Sequence, residues 1–327
     1  MSLHPSVAAV RLAVRRSLAD LDRGRTVLVA CSGGADSLAL LAASVVEGHR
    51  AGLRVVGATV DHGLQSGSAA HATLVVDQMA GLGVDETMAA RVQVEDGGLG
   101  PEAAARRARY AVLEEMGRHL DAAAVLLGHT RDDQAETVLM GLARGSGGRS
   151  LAGMRRSFDR YRRPLLDVSR VDTETACQVE GLRFWQDPHN TDPAYTRARV
   201  RHVVLPVLEE HLGPGVAATL ARTADQLRVD MDLLDDLAEA AHARLADPVD
   251  GALPVAGLAA EPDAVRRRVL RLAALAAGSP ASELFHEHVR GLDALVTDWH
   301  GQRWVDLPGH VRGQRSGGVL RVARHAP

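Results

Sequence analysis

Apolar positions in the first half of the chain alternate between two spacings. Val27, Leu28 and Val29 form an unbroken run of the kind a strand shows when both its faces are covered. Cys31-Ser-Gly-Gly-Ala-Asp-Ser37 follows, and then Leu38, Leu40 and Leu41 within an apolar stretch that reaches Val46. The pattern predicts a buried strand, a tight glycine turn and a helix. Upstream, Val7, Val10, Leu12, Val14 and Leu18 predict an amphipathic helix over 6–20. Downstream, predicted strands at 53–60, 88–94 and 124–127 alternate with predicted helices at 69–82, 101–120 and 132–143, Pro101 suiting the first turn of its helix. This alternation predicts an α/β fold with a doubly wound, mostly parallel sheet.

The second half is patterned differently. A glycine- and arginine-rich connector runs over 144–163, and Pro164-Leu-Leu166 re-enters the core. Helices are predicted near 173–181, from Thr196 to Leu212, and over 216–245, where Leu220, Leu227, Met231, Leu234 and Leu237 share a side. Asp247-Pro-Val-Asp-Gly251 breaks that helix. Helices at 262–277 and 281–297 and strands at 303–307 and 319–323 complete the chain. The expected division is a nucleotide-binding catalytic domain over 1–215 and a smaller, mainly helical α+β domain over 216–327.

Composition narrows the chemistry. No apolar run approaches the roughly 20 residues of a membrane span, and no signal-peptide core is evident, so a cytoplasmic protein without a membrane partner is expected. The two cysteines, Cys31 and Cys177, form no Cys-x-x-Cys pair, which leaves zinc, iron–sulfur and dithiol chemistry unsupported. The formal charge is −3, so any nucleic-acid site has to be a local patch. All 38 basic residues are arginine. A Schiff-base lysine is therefore excluded, and any amine nucleophile must arrive with a substrate.

Polar residues gather where the predicted strands end, which is where ligands of such sheets bind. After the first strand, Ser32, Gly33, Gly34, Ala35, Asp36 and Ser37 can cradle phosphate with backbone amides and hydroxyls at a helix start. It is not a Walker A loop, which needs a lysine after its last glycine. Asp61 and His62 follow the second strand, beside the expected nucleotide crevice. After the fourth come His129 and the acids Asp132, Asp133 and Glu136, whose spacing lets pairs share one helix face. Such acids can cap a helix, hold Mg²⁺ or grip an ammonium group. Arg106 lies on the helix after Pro101, and Arg197, Arg199 and Arg201 lie on the one that starts at Thr196. Arg197 and Arg201 can present a basic stripe to phosphates, though either cluster also reads as a wet helix face.

The first loop resembles the Ser-Gly-Gly-x-Asp-Ser signature of the PP-loop pyrophosphatases, which split ATP between its α and β phosphates. The ordered set is similar to one branch of that group, the tRNA(Ile)-lysidine synthetases. The set comprises Ser32–Ser37, Val60-Asp-His-Gly-Leu64, Glu102-Ala-Ala-Ala-Arg106 with Arg109-Tyr110, Gly128–Val138, Arg144-Gly-Ser-Gly147, Arg163-Pro-Leu-Leu166, Trp185–Asn190 and Tyr195–Arg201. The chain departs from the family pattern at Gln65, at Gly148-Arg149-Ser150 and at His189. The resemblance implies a two-step ligation with ATP and Mg²⁺. ATP adenylates the wobble cytidine of a tRNA(Ile) with the anticodon CAU, and free L-lysine then displaces AMP to form lysidine. It further implies that Ser32–Ser37, Asp61 and His62 bind the nucleotide and that Asp36 holds the metal. Asp132, Asp133, Glu136, Arg197 and Arg199 would bind substrate, and residues 216–327 would supply a helical linker and a C-terminal tRNA-binding domain. Asp36, Arg106, His129, Asp133, Glu136 and Arg201 would form the catalytic set. Another PP-loop ligase or amidotransferase acting on a small molecule is the alternative, and a homodimer stays open.

Overall fold

The computed structural model describes residues 3–61, 63, 67–92, 101–145, 147–187 and 192–325. His62, Gln65 and His189 thus lie outside the described residues. The order is α1 (Pro5–Leu18), β1 (Thr26–Ala30), α2 (Ala35–Ala51), β2 (Arg54–Asp61), α3 (Ser68–Gly81), β3 (Glu86–Arg91), α4 (Pro101–His119), β4 (Ala124–Leu126) and α5 (Arg131–Ala143). There follow α6 (Gly148–Leu151), a hairpin of β5 (Ser157–Phe158) and β6 (Tyr161–Arg162), α7 (Arg170–Val179), α8 (Thr196–Arg199), α9 (Leu205–Leu212) and α10 (Val216–Leu245).

Two units separate: Met1–Ala143 with Gly153–Ala224, and Arg144–Ala152 with Asp225–Pro327. The division falls inside α10, and the segment around α6 groups with the second unit.

Among the described residues of the first unit, six strands form one sheet in the order β3-β2-β1-β4-β6-β5. All neighbours are parallel except β5, the edge strand. Alternate residues of β1 serve opposite faces. Val27 and Val29 pack with α1, α2, α3 and α7, while Leu28 packs with Leu113 and Met116 of α4 and with Tyr161. All three β1 residues are fully buried, each such side chain contributing about 1.5–3 kcal/mol. This two-sided burial is the cause of the unbroken apolar run. The chain winds from β1 outward to β2 and β3, then returns to place β4 on the other side of β1. The strand order reverses at β1, and ligands of such sheets bind at that point, beyond the carboxyl ends of β1 and β4.

Several boundaries differ from expectation for identifiable reasons. The strand expected at 88–94 is Glu86–Arg91, and residues 93–94 are not described. Helix α7 starts at Arg170 because Ser169 caps it, accepting the Asp172 amide at 3.1 Å. The helix expected from Thr196 to Leu212 is interrupted over Val200–Val204, where the Leu205 amide bonds the Val200 carbonyl five residues back. Pro206 is the cause, since it has no N–H and its ring crowds the carbonyl four residues earlier.

In the second unit, β7 (Leu253–Pro254), α11 (Val255–Ala260), α12 (Asp263–Ala276), α13 (His286–Thr297), β8 (Val305–Leu307), β9 (Val311–Ser316) and β10 (Val319–Arg324) build an antiparallel sheet ordered β7-β10-β9-β8, packed on helices. Helix α13 begins later than 281, after the Pro280 turn. Strand β9 reads Val-Arg-Gly-Gln-Arg-Ser, with one large apolar residue, so hydrophobicity alone does not reveal it.

A buried ion pair joins α12 to α13: Arg266 Nε lies 2.6 Å from Asp293, with side chains 6% and 7% exposed, and Arg267 Nε lies 2.8 Å from its other oxygen. Burial alone would raise the Asp293 pKa, but the hydrogen bonds from Arg266 and Arg267 outweigh it and hold the carboxyl below its usual range. A depressed folded-state pKa supplies stability above the unfolded value, near 3.9, and that stability is lost as pH falls through the folded value. Asp293→Asn is expected to lower unfolding free energy by about 3 kcal/mol at neutral pH and to flatten the loss below about pH 4. Urea titrations from pH 3 to 7 check both; a parallel pH dependence in parent and variant would remove this role.

Candidate functional site

The loop after β1 is built for close approach. Gly33 has φ +82°, and a Cβ there would lie 2.7 Å from Val75 Cγ2 and 3.0 Å from His71 Cε1, so only glycine fits. Ser37 Oγ accepts the Ser32 amide at 3.1 Å, donates to the Gly34 carbonyl at 2.9 Å and lies 3.3 Å from Ser32 Oγ. The His71 ring bonds the Ser32 carbonyl at 3.0 Å, and the Trp185 amide donates to the Gly33 carbonyl at 2.9 Å. The two rings pack at 4.1 Å and brace the turn. Gly34 caps α2 without any side chain on its first amides, which leaves them for an anion. Gly128, two residues past the end of β4, lets the chain leaving that strand lie against α2, since a Cβ there would meet Ser37 Cα at 3.1 Å.

The starts of α2, α5 and α7 converge. Asp133 accepts the Thr130 amide at 2.8 Å, the Arg170 guanidinium at 2.8 Å and Arg201 at 3.1 Å. Glu136, 0% exposed, lies 2.7 Å from Arg201 Nε, 3.3 Å from Arg170 and 3.8 Å from Arg197. Asp132 accepts the Arg170 backbone amide at 2.8 Å and ties the start of α7 to α5. Asp36 receives the Thr173 hydroxyl and lies 3.5 Å from Arg170 Nε. Arg197 and Arg201 thus meet carboxylates, rather than forming a stripe free for phosphate. Three carboxylates, Asp36, Asp133 and Glu136, meet three guanidiniums in this cluster, and Asp132 meets only the Arg170 backbone amide.

Burial pushes the Asp36 pKa up to about 6, held from rising further by the Arg170 charge. Burial would also raise Asp133, but the Arg170 charge, the Thr130 amide and the Arg201 charge hold it below the usual range. His129 goes the other way: burial lowers its pKa, Asp133 opposes the shift, and the Arg163, Arg109 and Arg106 charges add to it. Its Nδ1 is buried without a hydrogen-bond partner among the described residues. A neutral imidazole offers one donor and one acceptor.

Other expected residues have partners of their own. Arg106 is exposed and lies over its own helix neighbour Tyr110, 5.1 Å from the ring centre. Arg199 bonds the Pro193 and Ala194 carbonyls and the Thr196 hydroxyl, all within its own turn. Asp61 accepts the Gly63 amide at 2.9 Å and lies 3.6 Å from Arg91. Sequence reasoning missed Arg170, Thr173 and His71. Ser169-x-x-Asp172 after Pro164-Leu-Leu166 is the signal that would have placed Arg170 in a first helical turn.

A profile described as the PP-loop domain matches residues 9–208, and one described as the TilS substrate binding domain matches 253–325. The tRNA(Ile)-lysidine synthase of Thermobifida fusca is 57% identical over 319 residues, covering 98% of each chain. The chain belongs to the tRNA(Ile)-lysidine synthase family, whose members are ligases. The Streptomyces coelicolor member is 52% identical over 98% of this chain and 99% of its own, and the Mycobacterium tuberculosis member 48% over 96% and 95%. Among solved structures, a U34-tRNA thiolase from Methanococcus maripaludis superposes with TM-score 0.56 over 68% of this chain and 79% of its own. At 17% identity that likeness concerns the fold alone.

Proposed function

We propose that the protein ligates L-lysine to the wobble cytidine of the CAU anticodon of tRNA(Ile), through an adenylated cytidine, releasing pyrophosphate and AMP. The observation that carries this reading is a phosphate-type loop and a buried carboxylate pair brought together at the strand-order reversal, with Arg170 touching carboxylates of both. Membership of the family supports it.

The loop Ser32–Ser37 takes the phosphates through the uncapped amides and hydroxyls at the start of α2. Asp36, with the loop hydroxyls, is a hard oxygen donor set suited to Mg²⁺, an ion that takes one or two carboxylates and completes its shell with phosphate and water. When bound, that ion neutralises charge on the departing pyrophosphate. The cytidine O2 forms a bond to the α phosphorus as the bond to pyrophosphate breaks. In the second step the lysine ε-nitrogen bonds C2 and the C2–O bond to AMP breaks. Asp133, held ionised, and Glu136 grip the ammonium. Only the neutral amine attacks, so one of these carboxylates takes its proton. Neutral His129 hydrogen-bonds the reacting base or phosphate, and Arg201 orients the pair. In the second unit, Arg312 lies over Trp304 at 4.4 Å and Arg315 over Trp299 at 4.7 Å, surfaces suited to RNA. Among the described residues no helix is long and apolar enough to cross a membrane. A cytoplasmic setting suits this chemistry.

The test mixes protein, Mg-ATP, radiolabelled lysine and several tRNA transcripts. Label is expected in the CAU isoleucine transcript alone, with AMP and pyrophosphate released. Equal labelling of methionine tRNA, or release of ADP and orthophosphate, would overturn the assignment.

A further inference from the structure

We propose that Arg170 is a positioning residue that links the nucleotide side of the site to the amine side, so that lysine occupancy changes nucleotide affinity. The inference rests on the reading in which Asp133 and Glu136 receive lysine.

Arg170 is the first residue of α7, and its placement is rigid. Its own amide donates to Asp132 at 2.8 Å, and the capping Ser169 and Asp172 are tied to Ser6 of α1 by a 3.0 Å bond from the Ser6 hydroxyl. Its side chain, 19% exposed, spreads over three carboxylates: Asp133 at 2.8 Å, Glu136 at 3.3 Å and Asp36 at 3.5 Å. Among the carboxylates of the described residues, Arg201 contacts only the two on α5, and Arg197 only Glu136. Among the described residues Arg170 is therefore the one cation that contacts carboxylates on both α2 and α5. One turn on, Thr173 donates to Asp36, so the same helix start holds Asp36 twice. A planar fork with five donors can make such a bridge; a single ammonium cannot.

An ammonium that enters between Asp133 and Glu136 competes for the oxygens Arg170 holds. The guanidinium then transfers its charge toward Asp36 and the phosphates on the loop, and nucleotide binding tightens. By linkage, nucleotide strengthens lysine binding by the same factor.

Calorimetry with a non-hydrolysable ATP analogue, with and without saturating lysine, reads the linkage. In the parent, lysine is expected to lower the analogue Kd about fivefold or more, within the usual range of such effects. Arg170→Lys keeps the charge that the buried carboxylates need but cannot span them. In it, and in Arg170→Gln, both ligands still bind and the ratio falls to about one. A ratio in Arg170→Lys equal to the parent's, or a ratio of one in the parent, would overturn the proposal. A purely structural Arg170 would lower the melting temperature and leave the ratio intact. Glu136→Gln separates the underlying reading: if lysine Kd does not change there, the amine side is misplaced whatever Arg170 does.

Discussion

Glu136→Gln is expected to separate the two half-reactions: adenylation persists and lysine transfer fails at ordinary lysine concentration. Glu136 is fully enclosed, and its oxygens face Arg201, Arg170 and Arg197 rather than water. The amide matches the carboxylate in shape and still accepts hydrogen bonds, but its charge is gone. A hydrogen bond to a charged group is worth about 1.5–3 kcal/mol, so the lysine KM should rise by about 10- to 100-fold. The nucleotide loop keeps its own bonds, and tRNA-dependent exchange of pyrophosphate into ATP should stay within about threefold of the parent. The change also leaves guanidiniums short of a partner, costing about 3 kcal/mol of stability, so assays belong well below the variant's melting temperature. Unchanged lysine demand would show that this carboxylate does not meet the amine.

Asp36→Asn is expected to have the larger effect, and on both half-reactions. The substituted amide can keep the bond from Thr173, so the loop should stay folded while the negative charge at the start of α2 disappears. Loss of one preorganised electrostatic group beside the reacting phosphate costs about 10²- to 10³-fold in rate. AMP formation should fall by at least that factor and, since lysine transfer needs the adenylate, transfer should fall with it. The two variants therefore differ in kind: at position 136 pyrophosphate exchange survives, at position 36 it does not. Exchange at the parental rate in Asp36→Asn would remove Asp36 from the reaction centre.

The strand, glycine turn and helix of the phosphate loop were legible because their causes are local. An apolar run marks β1, Gly33 occupies a backbone region hostile to other residues, and α2 begins two residues later. The parallel sheet was legible from alternating spacing, which follows from burial of both faces. Strand β9 was not, because its inward face carries Val311 and Gly313 in place of a run of large apolar side chains. The break at Val200–Val204 was available in principle from Pro206, yet where Arg201 then points depends on the helix it packs against.

The acids were recognisable as chemistry; their partners were not. Asp36, Asp133 and Glu136 announce themselves by residue type and by position at helix starts, which the chain alone determines. That one guanidinium, Arg170, joins them was decided only in three dimensions. It lies 34 residues from Glu136, and its helix neighbour Thr173 lies 137 residues from Asp36. Helix caps and apolar periods depend on residues a few positions apart and can be read along a line. Neutralisation of buried charge depends on distance through space, and the packing of α2, α5 and α7 sets that distance.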